Sequence, residues 1–454
     1  NLGLSLCPLL SQGQIEALEA HASDEIKALY LPKLISGEWT GTMNLTEPQA
    51  GSDVGALAST AKPNGDGTYA VSGQKIFISW GDHDIAENVC HLVLARLPDA
   101  APGTRGVSLF LVPKFIPDAE GRPGVANSLK VVSLEHKMGL HGSPTAVMSF
   151  EDATGWMVGP EAGGMAAMFT MMNNARLGVG VEGLGVAEAA CQKALGYALE
   201  RVQGKTADGS KTIIGHADVR RMLLRMRTLT DAARAICLDC ALSLDMARAA
   251  SGEAAKAWKA RGAFLTPIAK AFGTDVGNEV AYLGVQVHGG MGFIEEAGAA
   301  QYSRDVRVTA IYEGTNGVQA MDLIGRKLAD GGAAAKALMA EIRETASAAK
   351  GDLSALGEQL AMAADAVQAA TDWMLAAGPD DRASGGVDYL RAWALLLGGA
   401  YLLRGAGVAG PDADRRVGLA RYYFGRELPQ VAALAETATE GAGAIYALSA
   451  EALA

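Results

Sequence analysis

Between Trp39 and about Val158 the chain abandons one structural period for another, and past Gly159-Pro160 it returns to the first. The segment before Trp39 carries Ile15, Leu18, Ile26, Leu29 and Leu31 as apolar positions at helical spacing ahead of Pro32. The middle segment is a series of short β-prone runs separated by turn signals. They include Tyr69-Ala70-Val71, Lys75-Ile76-Phe77-Ile78-Ser79, Val89-Cys90-His91-Leu92-Val93-Leu94-Ala95 and Val107-Ser108-Leu109-Phe110-Leu111-Val112. Asn64-Gly65-Asp66-Gly67 is a strong hairpin turn. Runs this short and this closely spaced predict a compact antiparallel sheet or barrel.

The later segments 161–203, 216–250 and 256–287 place apolar residues at i, i+3 and i+4. In the second, Val219, Met222, Leu223, Met226, Leu229, Ala233 and Ile236 make one stripe. From Gly331 onward the chain is Ala-rich and helical, with breaks at Gly378-Pro379 and Gly410-Pro411. The expected fold class is α+β, a β domain set between helical domains with an extra helical tail. The expected boundaries are 1–39 (the end of a helical domain), 40–160, 161–330 and 331–454. Because the chain opens Asn-Leu-Gly-Leu, without an initiator Met or a basic leader start, residues upstream of Asn1 are expected.

Length suggests roughly three domains, and 49% hydrophobic residues supply a substantial core. With aromatics at only 6% and Gly at 56 residues, that core rests on close helix packing rather than on rings. A net charge of −11 argues against a nucleic-acid or anionic-membrane binder, while leaving room for a local cationic groove. No apolar run is long enough for a spanning helix. The odd, scattered set Cys7, Cys90, Cys191, Cys237 and Cys240 suits a reducing, cytoplasmic compartment. Cys237 and Cys240 spell C-x-x-C inside a helical pattern, without a second ligand pair, so no metal site is expected.

Gly178-Val179-Gly180-Val181-Glu182-Gly183 matches the dinucleotide fingerprint G-x-G-x-x-G. That fingerprint must follow a strand and open a helix. Here the residues before it read as helix, so these glycines are expected to serve tight helix–helix contact.

The densest chemistry lies in Ala310-Ile311-Tyr312-Glu313-Gly314-Thr315-Asn316-Gly317. A carboxylate in an apolar setting has raised proton affinity, which suits a general base acting on a weakly acidic C–H. The following Gly lets a substrate approach the backbone. A plain helix-start Glu interacting with the helix dipole is the competing reading. Upstream lie Arg304-Asp305-Val306-Arg307 and the Gly-rich Gln286-Val287-His288-Gly289-Gly290-Met291-Gly292-Phe293.

Together with Asn44-Leu45-Thr46-Glu47-Pro48-Gln49-Ala50-Gly51-Ser52-Asp53, these elements resemble the acyl-CoA dehydrogenase family of flavoproteins over roughly residues 20–330. The resemblance implies FAD as cofactor, contacted by Leu45, Thr46, Gly51, Ser52, Phe77, Ser79, Arg201, Gln286, Gly289, Gly290 and Thr315. Ser52, Asn173, Arg176 and Gly314 would face the acyl-CoA substrate, and Glu313 would be the catalytic base. Phe77 and Ser79 stand where the family has Trp and Thr. Asn173 stands for an Asp, Gly317 for a flavin-contacting Gln, and the aromatic usual after Arg201 is absent. On their own, Phe77 and Ser79 read as an ordinary strand end, and Arg201 reads equally as a solvated helix end.

The implied reaction is α,β-dehydrogenation of an acyl-CoA thioester to the 2-enoyl-CoA. A backbone N–H at Glu313 and a cofactor hydroxyl would polarise the carbonyl. The implied partners are an electron-transfer flavoprotein and a second copy of the chain in a homodimer. The run Glu135-His136-Lys137-Met138-Gly139-Leu140-His141-Gly142-Ser143-Pro144 and the long tail resemble members acting on 3-methylmercaptopropionyl-CoA. Medium- or long-chain fatty acyl-CoA dehydrogenases, acyl-CoA oxidases and a non-catalytic scaffold are the alternatives.

Overall fold

The structure is a computed structural model and describes residues 2–453. By compactness the chain divides into two units, residues 1–175 and 176–454.

The first unit opens with helices α1 (Leu2–His21) and α2 (Asp24–Ser36). Ser23 caps α2, its Oγ accepting from Ile26 N, and Gly37 ends it at φ 82°. Helix α2 runs through Pro32, so the break lies at the glycine. Nine strands follow: β1 (Trp39–Asn44), β2 (Thr60–Pro63), β3 (Tyr69–Ser79), β4 (Asn88–Arg96), β5 (Val107–Pro113), β6 (Phe115–Pro117), β7 (Pro123–Ala126), β8 (Leu129–Leu134) and β9 (Thr145–Val158). The pairings β4–β2, β2–β3, β3–β9, β9–β5 and β5–β4 close a circuit, with β1 added on β4 and β8 on β9. The barrel is therefore present, but it is not antiparallel throughout. β1 runs parallel to β4 over six residue pairs, and β2 meets β4 in parallel at Thr60 and Arg96. Strands joined by a connection as long as 45–87 are free to run parallel, whereas a tight turn forces the antiparallel hairpin seen for β2 and β3.

The near-continuous apolar runs of β4 and β5 are explained by burial on both faces. Cys90, Leu92 and Leu94 of β4 with Leu109 and Leu111 of β5 pack with Leu18, Tyr30, Leu34 and Met171. Val93, Ala95, Phe110 and Val112 point the other way, into the barrel with Val71, Ile78, Met148 and Phe150.

The second unit begins within α3 (Gly164–Glu200) and continues through α4 (Ala217–Ala249), α5 (Gly252–His288), α6 (Ala299–Val306) and α7 (Asn316–Asp322). The tail adds α8 (Ala333–Ala348), α9 (Ser354–Ala376), α10 (Pro379–Ala406), α11 (Ala413–Arg426) and α12 (Gln430–Ala438). The predicted stripe of α4 is its buried face, including Met222, Met226, Leu229, Ala233 and Ile236. Helix α10 is buried almost all round from Tyr389 to Ala400, as expected of a helix at the centre of a cluster.

The rejected fingerprint lies inside α3, and its glycines make the expected contact. A Cβ at Gly180 would come within 2.6 Å of Ala269 O, and one at Gly183 within 2.4 Å of Gly273 O. Backbones this close need glycine on both sides, and Gly273 and Gly277 of α5 supply the other side.

Candidate active site

Glu313 sits on a turn between the short 3-10 turn Arg307–Ala310 and α7. Its φ is 56°, and Gly314 follows at 82°. The left-handed conformation costs a side-chain-bearing residue roughly 1–2 kcal/mol, so something must hold it. Gln319 Nε2 donates to the carbonyls of Glu313 and Gly314, each at 3.2 Å. Lys270 Nζ donates to Gly314 O and to Asn316 Oδ1, each at 2.9 Å. Asn316 Nδ2 in turn donates to Asp275 Oδ1 at 2.6 Å and Thr274 Oγ1 at 3.0 Å. Thr315 caps α7 by accepting from Val318 N at 3.2 Å. The glycine at 314 is required twice over, by its φ and because a Cβ there would meet Gln319 Nε2 at 2.9 Å.

The Glu313 side chain is half-buried, and its Oε2 is fully buried with no hydrogen-bond partner. Burial pushes its pKa up to about 7, against the opposing pull of Arg176 and Lys270. Buried Glu182 of α3 accepts a hydrogen bond from Tyr312 OH, and its other oxygen has no partner. Burial pushes this second carboxyl up to about 7 as well; the Tyr312 bond and Lys270 pull it down while Glu313 adds to the rise. Gln319 Oε1 and Arg176 Nε are also buried without partners. Four orphaned polar atoms on the residues around one turn is an unusual density and points to a site built for a ligand.

Beside the same turn lies a cavity of about 450 Å³ lined by Asp275, Asn278, Arg307, Ala310, Ile311, Thr315, Asn316 and Gly317. That volume suits part of a small-molecule or cofactor site. Of its polar lining, Arg307 was visible in the basic stretch before the turn. Asp275 and Asn278 were not, since on a helix they read as solvated positions.

Other predicted residues fall in distinct places. Arg176 is buried in an ion pair with Asp322 at 2.9 Å, so its guanidinium is committed inside the second unit. Arg201, just past α3, is exposed, as are Gln286, Gly289 and Gly290 at the end of α5. Gly289 has φ 59°, and a Cβ on Gly289 or Gly290 would meet nothing within 4 Å. Rings of Tyr197 and His288 stack at 4.4 Å, bringing the ends of α3 and α5 together.

In the first unit, Leu45 to Asp53 form an irregular loop after β1, with Gly51, Ser52 and Asn173 exposed. The loop is fixed to β3. Ile76 N donates to Thr46 O at 2.9 Å, and Lys75 Nζ donates to Leu45 O at 3.2 Å and to Glu47 Oε1 at 2.7 Å. The β3 register slips between Lys75 and Ile78, and Phe77 at φ 61° is turned outward, 60% exposed. An irregularity that re-aims one ring out of a strand is a familiar device beside binding sites. The Glu47–Lys75 pair escaped the sequence reading, although Lys75 shares the strand parity of inward-facing Val71.

No group of three potential metal ligands occurs among the described residues. None of their helices is long and apolar enough to cross a membrane.

The described residues thus comprise a strand barrel in the first unit and, in the second, a helical bundle that carries a buried, unpartnered carboxyl oxygen on a left-handed turn. Three family models match: the acyl-CoA dehydrogenase middle domain over 42–153, the acyl-CoA dehydrogenase C-terminal domain over 162–329, and an acetyl-CoA dehydrogenase C-terminal-like domain over 338–449. A 3-methylmercaptopropionyl-CoA dehydrogenase of Ruegeria pomeroyi is 51% identical over 393 residues, 84% of this chain and 66% of the relative. An acyl-CoA dehydrogenase of Bacillus subtilis is 33% identical over 65% of this chain and 70% of the relative. The solved acyl-CoA dehydrogenase of Bacillus anthracis, complexed with FAD, superposes with a TM-score of 0.76 at 24% identity, covering 92% of this chain and 72% of that one. The chain belongs to the acyl-CoA dehydrogenase family. It spans about half to two thirds of the length of the first curated relatives it matches.

Proposed function

We propose that this protein is an FAD-dependent acyl-CoA dehydrogenase acting on a thioester of the 3-methylmercaptopropionyl-CoA class, with Glu313 as its base. The observation that carries the reading is the unpartnered, buried Oε2 of Glu313 on a turn held left-handed. A base with a pKa near the working pH is the most effective proton acceptor, and burial brings Glu313 to about 7.

Each unit offers residue types suited to FAD. In the first, exposed Phe77 offers a flat ring, Ser79 a hydroxyl and Gly51 backbone without a Cβ in the way, together with Leu45, Thr46 and Ser52. In the second, Arg201 offers a guanidinium suited to phosphate oxygens and Gly289 and Gly290 open backbone, together with Gln286 and Thr315. Ser52, Asn173 and Gly314 are proposed to face the thioester. Arg176, held by Asp322 through one nitrogen, acts as a fixed positive charge near Glu313, and its unpartnered Nε is available for the substrate contact proposed for it.

In the reaction, Glu313 takes the α-proton, leaving its bonding pair to form the new C=C while the β-hydrogen departs with its own pair. When bound, FAD supplies the two-electron acceptor for that hydride. The N–H groups of the turn are set to polarise the thioester carbonyl. Gln319 and Lys270 keep the turn from relaxing as charge moves.

The substrate class rests on the 51% identity to the Ruegeria enzyme and its name. We further propose an electron-transfer flavoprotein as electron acceptor, and a homodimer. Exposed Leu195, Leu199, Val202, Tyr282, Met291 and Phe293, near the stacked Tyr197 and His288, support self-association. Five free, buried cysteines support a cytoplasmic setting.

The test is anaerobic titration of the purified protein with 3-methylmercaptopropionyl-, butyryl-, octanoyl- and palmitoyl-CoA, read by flavin absorbance. Bleaching strongest with the first supports the reading, and bleaching strongest with a straight chain reassigns the substrate. Peroxide release in air identifies an oxidase, and a protein without flavin absorbance overturns the reading.

A further inference from the structure

The turn that bears Glu313 is gripped by a cation with no carboxylate of its own. Lys270 lies on α5 and is 0% exposed, and both of its hydrogen-bond acceptors are neutral: the carbonyl of Gly314 and the amide oxygen of Asn316. Among the described residues it enters no ion pair, unlike the other fully buried lysine, Lys75, which is paired to Glu47 at 2.7 Å. A buried ammonium whose bonds are all to neutral oxygens keeps most of its field for groups slightly further off.

The charges facing that space are few. From α3 come Arg176, tied to Asp322, and Glu182, bonded to Tyr312. From α5 itself comes Asp275, bonded to Asn316 and pushed up in pKa by burial. Beyond α7, Arg326 and Lys327 lie near Asp322 at 2.6 and 3.9 Å. Glu313, with its orphaned Oε2, is the carboxyl that acts most strongly on Lys270, and Lys270 and Arg176 are the two cations that favour its ionised form.

We infer that Lys270 is a positioning residue for the candidate base: its buried ammonium pins the Gly314 carbonyl, and its uncompensated charge holds the Glu313 carboxylate ionised in an apolar pocket. This rests on the reading of Glu313 as the base, and it deepens that reading by naming what opposes desolvation there. Two demands meet in one side chain. Burial makes Glu313 proton-hungry, which suits its role. Without a nearby positive charge, burial would also leave it protonated before substrate arrives, and a protonated carboxyl cannot accept the α-proton. Arg176 acts on Glu313 more strongly still, and it shares Asp322 with Arg326 and Lys327, whereas Lys270 is the cation of the two that also holds the turn itself through the Gly314 carbonyl. A lysine is also suited to this geometry because its single donor head reaches two oxygens on adjacent segments of the turn.

The experiment titrates the carboxyl directly. Infrared pH-difference spectra of the purified full-length chain with its bound cofactor are recorded from pH 5 to 10. The Glu313 band is assigned by its loss in Glu313→Gln. The wild-type midpoint is expected near neutrality. Lys270→Met is expected to move it up by one pH unit or more, a tenfold gain in proton affinity, and Lys270→Arg to return it to within a few tenths of wild type. In parallel, the pH profile of flavin reduction by butyryl-CoA should shift to the alkaline side in Lys270→Met and recover in Lys270→Arg. If Lys270→Met does not fold by circular dichroism, Lys270→Gln takes its place, since its amide can still donate to one of the two oxygens. Coincident midpoints in wild type and the neutral variant overturn the proposal, as does a shift that Lys270→Arg fails to reverse. If no thioester bleaches the wild-type flavin, the dehydrogenase reading fails separately, and the infrared midpoints still report on Lys270.

Discussion

Glu47 in the first unit and Glu313 in the second are both acids removed from water, and they have been treated in opposite ways. Glu47 is 3% exposed. It accepts from Lys75 Nζ at 2.7 Å, Ala58 N at 2.7 Å, Ser59 N at 3.1 Å, Ser59 Oγ at 2.6 Å and Gln49 Nε2 at 2.7 Å. Burial alone would raise its pKa, but Lys75 and these donors hold it at about 2. Glu313 has a buried oxygen with no donor at all, and its pKa goes to about 7. Burial raises both, so the outcome is decided by what opposes it: a directly paired cation and several donors at Glu47, and no donor on the buried oxygen of Glu313. The first arrangement fixes a loop, and the second keeps a proton acceptor in reserve.

The strongest way to break this contrast is to remove the reserve. Glu313→Gln should retain flavin but slow its reduction by thioester by about 10²–10⁴-fold, measured by stopped-flow absorbance. Reduction at the wild-type rate would take Glu313 out of the role. Next, Glu47→Gln leaves Lys75 buried and uncompensated, and it should destabilise the protein by about 3–5 kcal/mol with a matching fall in urea midpoint. A near-neutral result would mean that Glu47 is more solvated than its contacts imply.

The two acids should also respond to pH with opposite sign. Glu47 has a depressed folded pKa, so its contribution is present above the unfolded value near 4.3 and is lost as pH falls toward 2. Glu313 has a raised one, so its contribution is present below about 4.3 and is lost as pH rises through 7. Relative to wild type, Glu313→Gln should therefore gain about 2 kcal/mol in unfolding free energy between pH 5 and pH 8, checked by denaturant titrations at the two values. The smallest effect is expected from Ser59→Ala, which removes one donor of several from Glu47. It should cost about 1 kcal/mol and leave flavin reduction unchanged, and a loss as large as that of Glu47→Gln would show that the donors do not act separately.

The sequence announced the parts of this molecule whose cause is local. Glu313-Gly314 stood out as an acid in an apolar run beside a glycine, which the structure uses for a left-handed turn, and the runs of β4 and β5 stood out as β-prone, their lost polar alternation now explained by burial on both faces. What it hid depends on distant partners. The direction of β1 beside β4 is set by a pairing across more than forty residues, with no mark in either strand. Lys270 and Glu182 lie on helices where a charged residue ordinarily reads as a solvated face. Their burial becomes visible only once α3 and α5 are known to lie backbone against backbone. Asn173, Arg201 and Gln286 could be placed on the fold, but their exposure alone assigns them no ligand.

The glycines at that crossing carry a warning for anyone wishing to make the protein hardier. Replacing glycine by alanine inside a helix is a routine way to raise melting temperature. At Gly180 or Gly183 the added methyl would have to push into the carbonyl of Ala269 or Gly273, next door to Lys270 and Glu182. Alanine at these two positions would wedge the helices apart, and the change made to raise the melting temperature would lower it.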